Sequence, residues 1–119
     1  MEEINLRNYA HLGDAVWELF VREITILKTQ KAKELHKLTT DKVNAKFQHE
    51  LLLKIQNFLS EEEIELTRRG RNLPIPVGRK SNQSEYRMAT AFEVLIGRLY
   101  IKDKTRLDEI LTKIKDFLE

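Results

Sequence analysis

Apolar residues recur at steps of three and four along almost the whole chain, which is the spacing of one face of an α-helix. The clearest stripe runs from Leu6 through Trp17 to Leu27. A second stripe spans residues 43–55, and a third spans residues 107–118. This period predicts an all-α protein built as a helical bundle.

Capping residues divide these stripes into separate helices. The candidate caps are Thr39 or Thr40, Ser60 with Glu63 as a capping box, and Asp103 or Thr105. The predicted helices cover residues 6–27, 31–36, about 41–58, 60–70, about 85–102 and 103–118.

One long break interrupts the helices. Both prolines and two of the four glycines fall between Gly70 and Gly78, and proline disfavours helix in the residue before it. We therefore predict a loop over Asn72–Gly78. We expect a functional loop rather than a domain linker, because neither side of it is large enough for a good core of its own.

The composition sets the class of protein. A chain of 119 residues, 41% of them hydrophobic, can bury a core, and we expect residues 1–119 to form a single domain. There is no cysteine, so disulfides and thiolate metal sites are excluded. No apolar run approaches a membrane helix and the acidic N-terminus is no secretory signal, so we expect a cytoplasmic protein without a membrane partner.

Two carboxylates lie within apolar helical stretches. Asp14 follows Gly13, and Glu93 lies one turn before Gly97. Burying a lone ionised carboxylate is costly unless a cation or hydrogen bonds compensate for it. A helix capping role or a pairing with arginine is the alternative for either residue taken singly.

A glycine close to each acid indicates how the two acids could meet. Glycine costs a helix about 1 kcal/mol relative to alanine, and it is useful where another helix packs closely. Close packing at Gly13 and Gly97 would bring Asp14 and Glu93 together. Carboxylate ligands suit Mg2+ or Mn2+, so we predict a metal site at this pair. The three histidines do not form a ligand set by spacing.

A basic stretch surrounds the predicted loop. No acidic residue occurs from Leu66 to Ser84, although the net charge of the chain is only +2. Such a stretch is a plausible phosphate-binding surface, and a solvated arginine-rich loop is the alternative. Its basic residues, with one that follows just beyond, are Arg68, Arg69, Arg71, Arg79, Lys80 and Arg87.

The two acids lie in the motifs His11-Leu12-Gly13-Asp14-Ala15-Val16 and Phe92-Glu93-Val94-Leu95-Ile96-Gly97. Together with two further segments, these motifs resemble those of the ribonuclease III family. The segment Arg68–Asn72 and the stretch Tyr86–Glu93 narrow the resemblance to the mini-ribonuclease III branch, which consists of the nuclease domain alone.

The resemblance implies an all-α endonuclease domain that acts as a homodimer, cuts double-stranded RNA and needs Mg2+. It implies a role in maturation of the large-subunit (23S) ribosomal RNA precursor, without a double-stranded-RNA-binding domain. Asp14 and Glu93 match the catalytic acidic pair, which also binds the metal. The helix that carries Tyr9, His11 and Leu12 is expected at the dimer interface.

The chain departs from the full-length enzymes of the family at two acidic positions. Those enzymes carry a further glutamate and a further aspartate where this chain has Ala10 and Thr90, a reduction that the mini branch shares. The alternatives to an endonuclease are a non-catalytic RNA-binding or ribosome-assembly module of the same fold, and a helical dimerisation protein. The acid pair argues against the first alternative and the basic stretch against the second.

Overall fold

Six α-helices and one short 3-10 helix make up the computed structural model, which describes residues 3–76, 78 and 82–118. No strand occurs within these residues, which confirms the all-α prediction. The α-helices are α1 (Leu6–Thr25), α2 (Ala32–Val43), α3 (Ala45–Ile55), α4 (Glu61–Arg71), α5 (Gln83–Lys102) and α6 (Lys104–Leu118), and the 3-10 helix is Gln56–Phe58.

Helix α5 is the centre of the bundle, and α1, α3, α4 and α6 pack against it. Residues 88–92 and 94–97 are all buried, so this helix is covered on more than one face. A helix that is apolar nearly all round is typical of a protein core. On the α1 side, the Trp17 ring meets the Phe92 ring edge-on, with ring centroids 5.1 Å apart.

Two polar contacts join α1 to α2. The hydroxyl oxygens of Thr25 and Thr39 lie 2.9 Å apart in a buried hydrogen bond. The Trp17 indole N–H donates to the carbonyl oxygen of Lys42 at 2.9 Å. Helix α1 ends at Thr25 rather than at Leu27 as predicted, and Leu27 is exposed.

The boundary predicted between the second and third helices is wrong. The helix expected over residues 31–36 continues to Val43, and the next helix begins at Ala45 instead of at about Asp41. Thr39 and Thr40 therefore lie inside α2 and cap nothing.

Asn44 makes this boundary, because its side chain satisfies backbone groups of both helices. Its ψ of 163° takes it out of the helical region. Its Oδ1 accepts a hydrogen bond from the Phe47 backbone N–H at 2.9 Å, which caps α3. Its Nδ2 donates to the carbonyl oxygens of Thr40 and Asp41, which closes α2.

The other predicted caps are present. Ser60 and Glu63 exchange the two hydrogen bonds of a capping box at the start of α4. Asp103, rather than Thr105, caps α6, because its Oδ1 accepts from the Arg106 backbone N–H at 3.0 Å. The Arg106 guanidinium also bonds both carboxylate oxygens of Glu63, at 2.8 and 2.9 Å.

The predicted loop separates α4 from α5. Residues 72–76 and 78 lie in turns and irregular backbone, which confirms the loop over the positions that the structure describes. Within the described residues, no helix is long and apolar enough to cross a membrane.

Candidate active site

The helices α1 and α5 cross at two glycines, with backbone against backbone. A Cβ atom added at Gly13 would overlap the carbonyl group of Glu93 and lie 2.9 Å from the amide nitrogen of Gly97. One added at Gly97 would overlap the carbonyl group of Tyr9 and lie 2.9 Å from the amide nitrogen of Gly13. The predicted close packing at these glycines is confirmed.

Asp14 and Glu93 meet beside this crossing. The Asp14 side chain lies close enough to act on the Glu93 carboxyl group, so the fold brings the two acids together as expected. Glu93 is half-buried, but Asp14 is exposed, so the expectation of two buried acids is wrong for Asp14. The apolar neighbours at helical spacing show only that Asp14 lies beside the packed face of α1. In the structure its side chain lies just outside that face, where water reaches it.

The environment favours the protonated form of Glu93. Burial of its carboxyl group and, second to burial, the contact with Asp14 raise the pKa of Glu93 to about 8. Two adjacent carboxyl groups that share a site resist being ionised together. A divalent cation at the pair would remove this resistance, because it favours the ionised form of both groups.

Gln48 on α3 is a third member of the site, which the sequence analysis missed. Its side chain is only 2% exposed, and its amide acts on Glu93 in the sense that favours the ionised carboxylate. Its Nε2 has no hydrogen-bond partner of ordinary geometry. A buried donor without a partner costs about 1–3 kcal/mol.

The donors at this site fit a hard metal ion that keeps much of its water. Asp14 and Glu93 offer carboxylate oxygens, the donors that Mg2+ and Mn2+ prefer. Across residues 3–76, 78 and 82–118, no group of three or more histidine, aspartate or glutamate side chains is arranged to hold a metal. The pair therefore suits Mg2+, which is usually bound through one or two carboxylates and several waters.

Three of the basic residues lie in the last turn of α4. Arg68, Arg69 and Arg71 are exposed. The Arg68 guanidinium pairs with Glu65, with its Nε 2.9 Å from Oε2. An exposed pair of this kind contributes little stability, so Arg68 can exchange Glu65 for another anion at small cost.

Arg87 hydrogen-bonds backbone carbonyl groups at the end of α4 and the start of the loop. Its side chain is half-buried, and its Nη1 donates to the carbonyl oxygen of Arg71 at 3.2 Å, with the Leu73 carbonyl oxygen 3.5 Å away. Arg79 and Lys80 lie outside the described residues.

Comparisons with known proteins show the family to which the chain belongs. The family model described as "Ribonuclease III domain" matches residues 7–104, which include both acids. The chain belongs to the ribonuclease III family. It is 39% identical over 117 residues to a protein from Gloeobacter violaceus named Mini-ribonuclease 3, covering 98% of this chain and 87% of that one. A Mini-ribonuclease 3 from Thermoanaerobacter sp. is 43% identical over 105 residues, covering 86% of this chain and 74% of that one.

A solved structure shows the same helical fold. The crystal structure of a protein from Fusobacterium nucleatum matches with a TM-score of 0.84 and 32% identity, covering 97% of this chain and 94% of that one. The chain is thus an endoribonuclease of the ribonuclease III type, in the mini-ribonuclease III branch of that family.

The two positions at which this chain lacks the acids of full-length ribonuclease III enzymes lie near the pair. Ala10 is half-buried one helical turn before Asp14, and Thr90 is buried one turn before Glu93. Neither side chain offers a carboxylate, so the negative charge of the site comes from one aspartate and one glutamate.

The residues expected at a ribonuclease III dimer interface differ in accessibility. Tyr9 is 1% exposed, and its hydroxyl donates to a carboxylate oxygen of Glu3. It has little exposed surface in the single chain, and its place at a dimer interface stays a prediction. His11 is exposed and Leu12 is half-buried, so both present surface on α1.

Proposed function

We propose that this protein cleaves double-stranded RNA, using Mg2+ or Mn2+ held by Asp14 and Glu93. We further propose that it acts as a homodimer in the cytoplasm, and that its substrate is the precursor of the large-subunit (23S) ribosomal RNA. The substrate and compartment rest on the resemblance to the mini branch, and the catalytic pair rests on the geometry of the site.

The observation that carries this proposal is the acid pair beside the glycine crossing. Glu93 is kept half-buried against Asp14 although this raises the pKa of Glu93 to about 8. Holding the two carboxyl groups together costs stability, because burial and the neighbouring acid disfavour the ionised form of Glu93. A bound divalent cation would offset this cost, because it favours the ionised form of both carboxyl groups.

The chemistry follows from these groups. When bound, a divalent cation lowers the pKa of a coordinated water and neutralises charge that develops on a phosphodiester. Asp14, exposed at the surface, is the carboxylate that an RNA backbone can approach. Glu93, anchored in the central helix, fixes the position of the site relative to the core.

The basic residues would bind the phosphates of the RNA duplex. A-form RNA has a deep major groove that side chains do not read, so a protein holds the duplex through phosphates, 2′-hydroxyls and shape. Arg69 and Arg71 are exposed at the end of α4, where Gly70 packs against Ala91 of α5, with a Cβ at Gly70 placed 3.1 Å from the Ala91 Cα. The end of α4 is therefore close along α5 to Glu93.

The test is cleavage of a long RNA duplex with and without Mg2+. We expect the wild type to cut with Mg2+ and not in EDTA, and Asp14→Asn and Glu93→Gln to lose cleavage by at least about a hundredfold. Asp108→Asn, the same change at an exposed position of α6, is the matched control and should cut as the wild type does.

Binding distinguishes the alternatives. In a filter assay with Ca2+ in place of Mg2+, Asp14→Asn should bind the duplex about as tightly as the wild type. A wild-type protein that binds duplex RNA but never cuts it, with Mg2+ or Mn2+, would favour the non-catalytic RNA-binding module. Preferential cutting of the duplex stem of the large-subunit precursor, against a random duplex of equal length, tests the substrate.

A further inference from the structure

Gln48 is anomalous among the buried polar side chains. The other buried polar groups near α1 and α4 have partners: Thr25 bonds Thr39, and Glu63 bonds Arg106. In the part of the chain that the structure describes, the Gln48 Nε2 is the one buried side-chain nitrogen or oxygen without a hydrogen bond. An apolar side chain of similar size would fill the position without this cost.

The position of Gln48 in α3 explains what it can reach. It lies on the row of residues 48, 52 and 55, which α3 buries, and α3 packs against α5. There its amide acts on the Glu93 side chain. An amide N–H can donate to a carboxylate oxygen. The Gln48 Nε2 is therefore the kind of group that could hold the Glu93 carboxylate in a fixed orientation.

We propose that Gln48 is a positioning residue for Glu93: its Nε2 donates to the Glu93 carboxylate when that carboxylate binds a divalent cation, and holds it in its ligating orientation. The Gln48 Nε2, which has no other hydrogen-bond partner among the residues that the structure describes, is free to make this contact. Partners that orient a ligating carboxylate commonly change metal affinity or activity by about ten- to a hundredfold when they are removed. The proposal rests on the proposed function, since it requires a cation at the acid pair.

The first test removes the donor and keeps the length of the side chain. We expect Gln48→Met to weaken Mn2+ binding, followed by electron paramagnetic resonance, by about tenfold or more. Its thermal unfolding midpoint in EDTA should equal or exceed that of the wild type, because the unpaired buried amide is gone. Leu52→Met, a change to the same residue at another buried position of α3, is the control and should leave Mn2+ affinity unchanged.

The second test separates positioning from RNA binding. For Gln48→Met, the single-turnover cleavage rate at saturating duplex should fall by about ten- to a hundredfold at low Mg2+, and recover in part at high Mg2+. The dissociation constant for duplex RNA in Ca2+ should not change. Equal Mn2+ affinity and equal cleavage for Gln48→Met and the wild type would overturn the proposal.

A third measurement uses the unaltered protein and so does not depend on how a variant folds. On titration with Mg2+, the side-chain amide resonance of Gln48 should shift as its N–H gains an acceptor, and the shift should be absent in Glu93→Gln. A Gln48 resonance that does not move at saturating Mg2+ would refute the inference. If the wild type binds no Mn2+ and cuts no duplex, the proposed function fails instead, so the two failures are distinguishable.

Discussion

At the scale of single residues, the acid pair makes the stability of the metal-free protein depend on pH. The pKa of Glu93 is about 8 in the folded state, above its ordinary value of 4.5. Between these values the folded protein holds a proton that the unfolded chain has released. The free energy of unfolding therefore falls as the pH rises from about 4.5 to about 8. We expect urea unfolding in EDTA to report this decline, and Glu93→Gln to flatten it.

The same pair predicts how Mg2+ affects stability. Because protons and Mg2+ compete for Glu93, the rise in unfolding temperature caused by Mg2+ should be larger at pH 8.5 than at pH 6. Glu93→Gln should reduce this rise at both values. An equal effect of Mg2+ on the variant and the wild type would place the metal elsewhere.

At the scale of helices, the crossing of α1 and α5 leaves no room for a side chain. Gly13→Ala would drive a methyl group into the backbone of Glu93, and backbone cannot move aside as a flexible side chain can. We expect a loss of about 3 kcal/mol or more in the free energy of unfolding, despite the better helix propensity of alanine. Urea unfolding measures this loss.

A control for this substitution is available in α4. An alanine at Gly70 would meet the Cα of Ala91 at 3.1 Å, a tight contact but not an overlap. Gly70→Ala should therefore change stability by much less than Gly13→Ala. If both variants unfold alike, the crossing of α1 and α5 is looser than the structure describes.

A second contact between elements is the ion pair that joins the start of α4 to α6. Arg106 bonds both carboxylate oxygens of Glu63 and the carbonyl oxygen of Phe58, and it lowers the pKa of Glu63. Arg106→Met would leave the buried Glu63 carboxylate without a cation, with the Ser60 backbone N–H as its remaining donor. Since the pair is partly exposed, we expect a loss of about 2 kcal/mol at pH 7.

The pH dependence of this loss identifies its cause. Because the folded pKa of Glu63 lies below its ordinary value of 4.5, the pair stabilises the protein above that value and ceases to do so as the pH falls through the folded pKa. The difference between Arg106→Met and the wild type should shrink on acidification. Arg22, in an exposed pair with Glu18 on α1, supplies the control: Arg22→Met should change stability little at any pH.

These elements also indicate how much of the fold the sequence can predict. The long helices α1 and α5 follow from an apolar period of three to four, and Ser60 with Glu63 follows from local capping chemistry. The helix boundary at Asn44 is not predicted, because threonine and asparagine are both good capping residues and local sequence does not separate them. Tertiary contacts decide which one caps the helix, since the Thr39 hydroxyl makes a buried hydrogen bond to Thr25.

The candidate site is predicted in part for a similar reason. Asp14 and Glu93 stand out because a charge interrupts an apolar stretch, and Gly13 and Gly97 indicate how they meet. Gln48 carries no charge, and its unpaired nitrogen becomes visible only when α3 is placed against α5. The exposure of Asp14 likewise depends on which neighbours cover the helix.

At the scale of the whole molecule, the basic stretch should set the salt dependence of RNA binding. We expect the double variant Arg79→Glu with Lys80→Glu to weaken duplex binding and to flatten its salt dependence, because fewer counterions are released. Lys31→Glu with Lys33→Glu, an equal change of charge on the α2 side, is the matched control. If both double variants bind alike over a salt series, Arg79 and Lys80 do not hold the RNA.

The assembly of two copies is testable in the same way. Cutting both strands of a duplex calls for two acidic sites, and a two-fold dimer provides them. We expect a dimer at micromolar concentration by sedimentation, and His11→Asp to shift it toward monomer, because a buried charge at the interface is costly. His36→Asp, at another exposed histidine, should sediment as the wild type does. A wild-type monomer would contradict the proposed assembly.

The contact of backbone with backbone at Gly13 and Gly97 has a consequence for how such a protein can change. Side chains in a core can be exchanged and repacked, and helices then slide by small amounts. Here main-chain atoms set the separation of the two acids. A substitution elsewhere in the core changes side chains and leaves these main-chain atoms in place. Directed evolution should therefore find new RNA preferences in the loop between α4 and α5, while the spacing of Asp14 and Glu93 survives extensive turnover of the surrounding side chains.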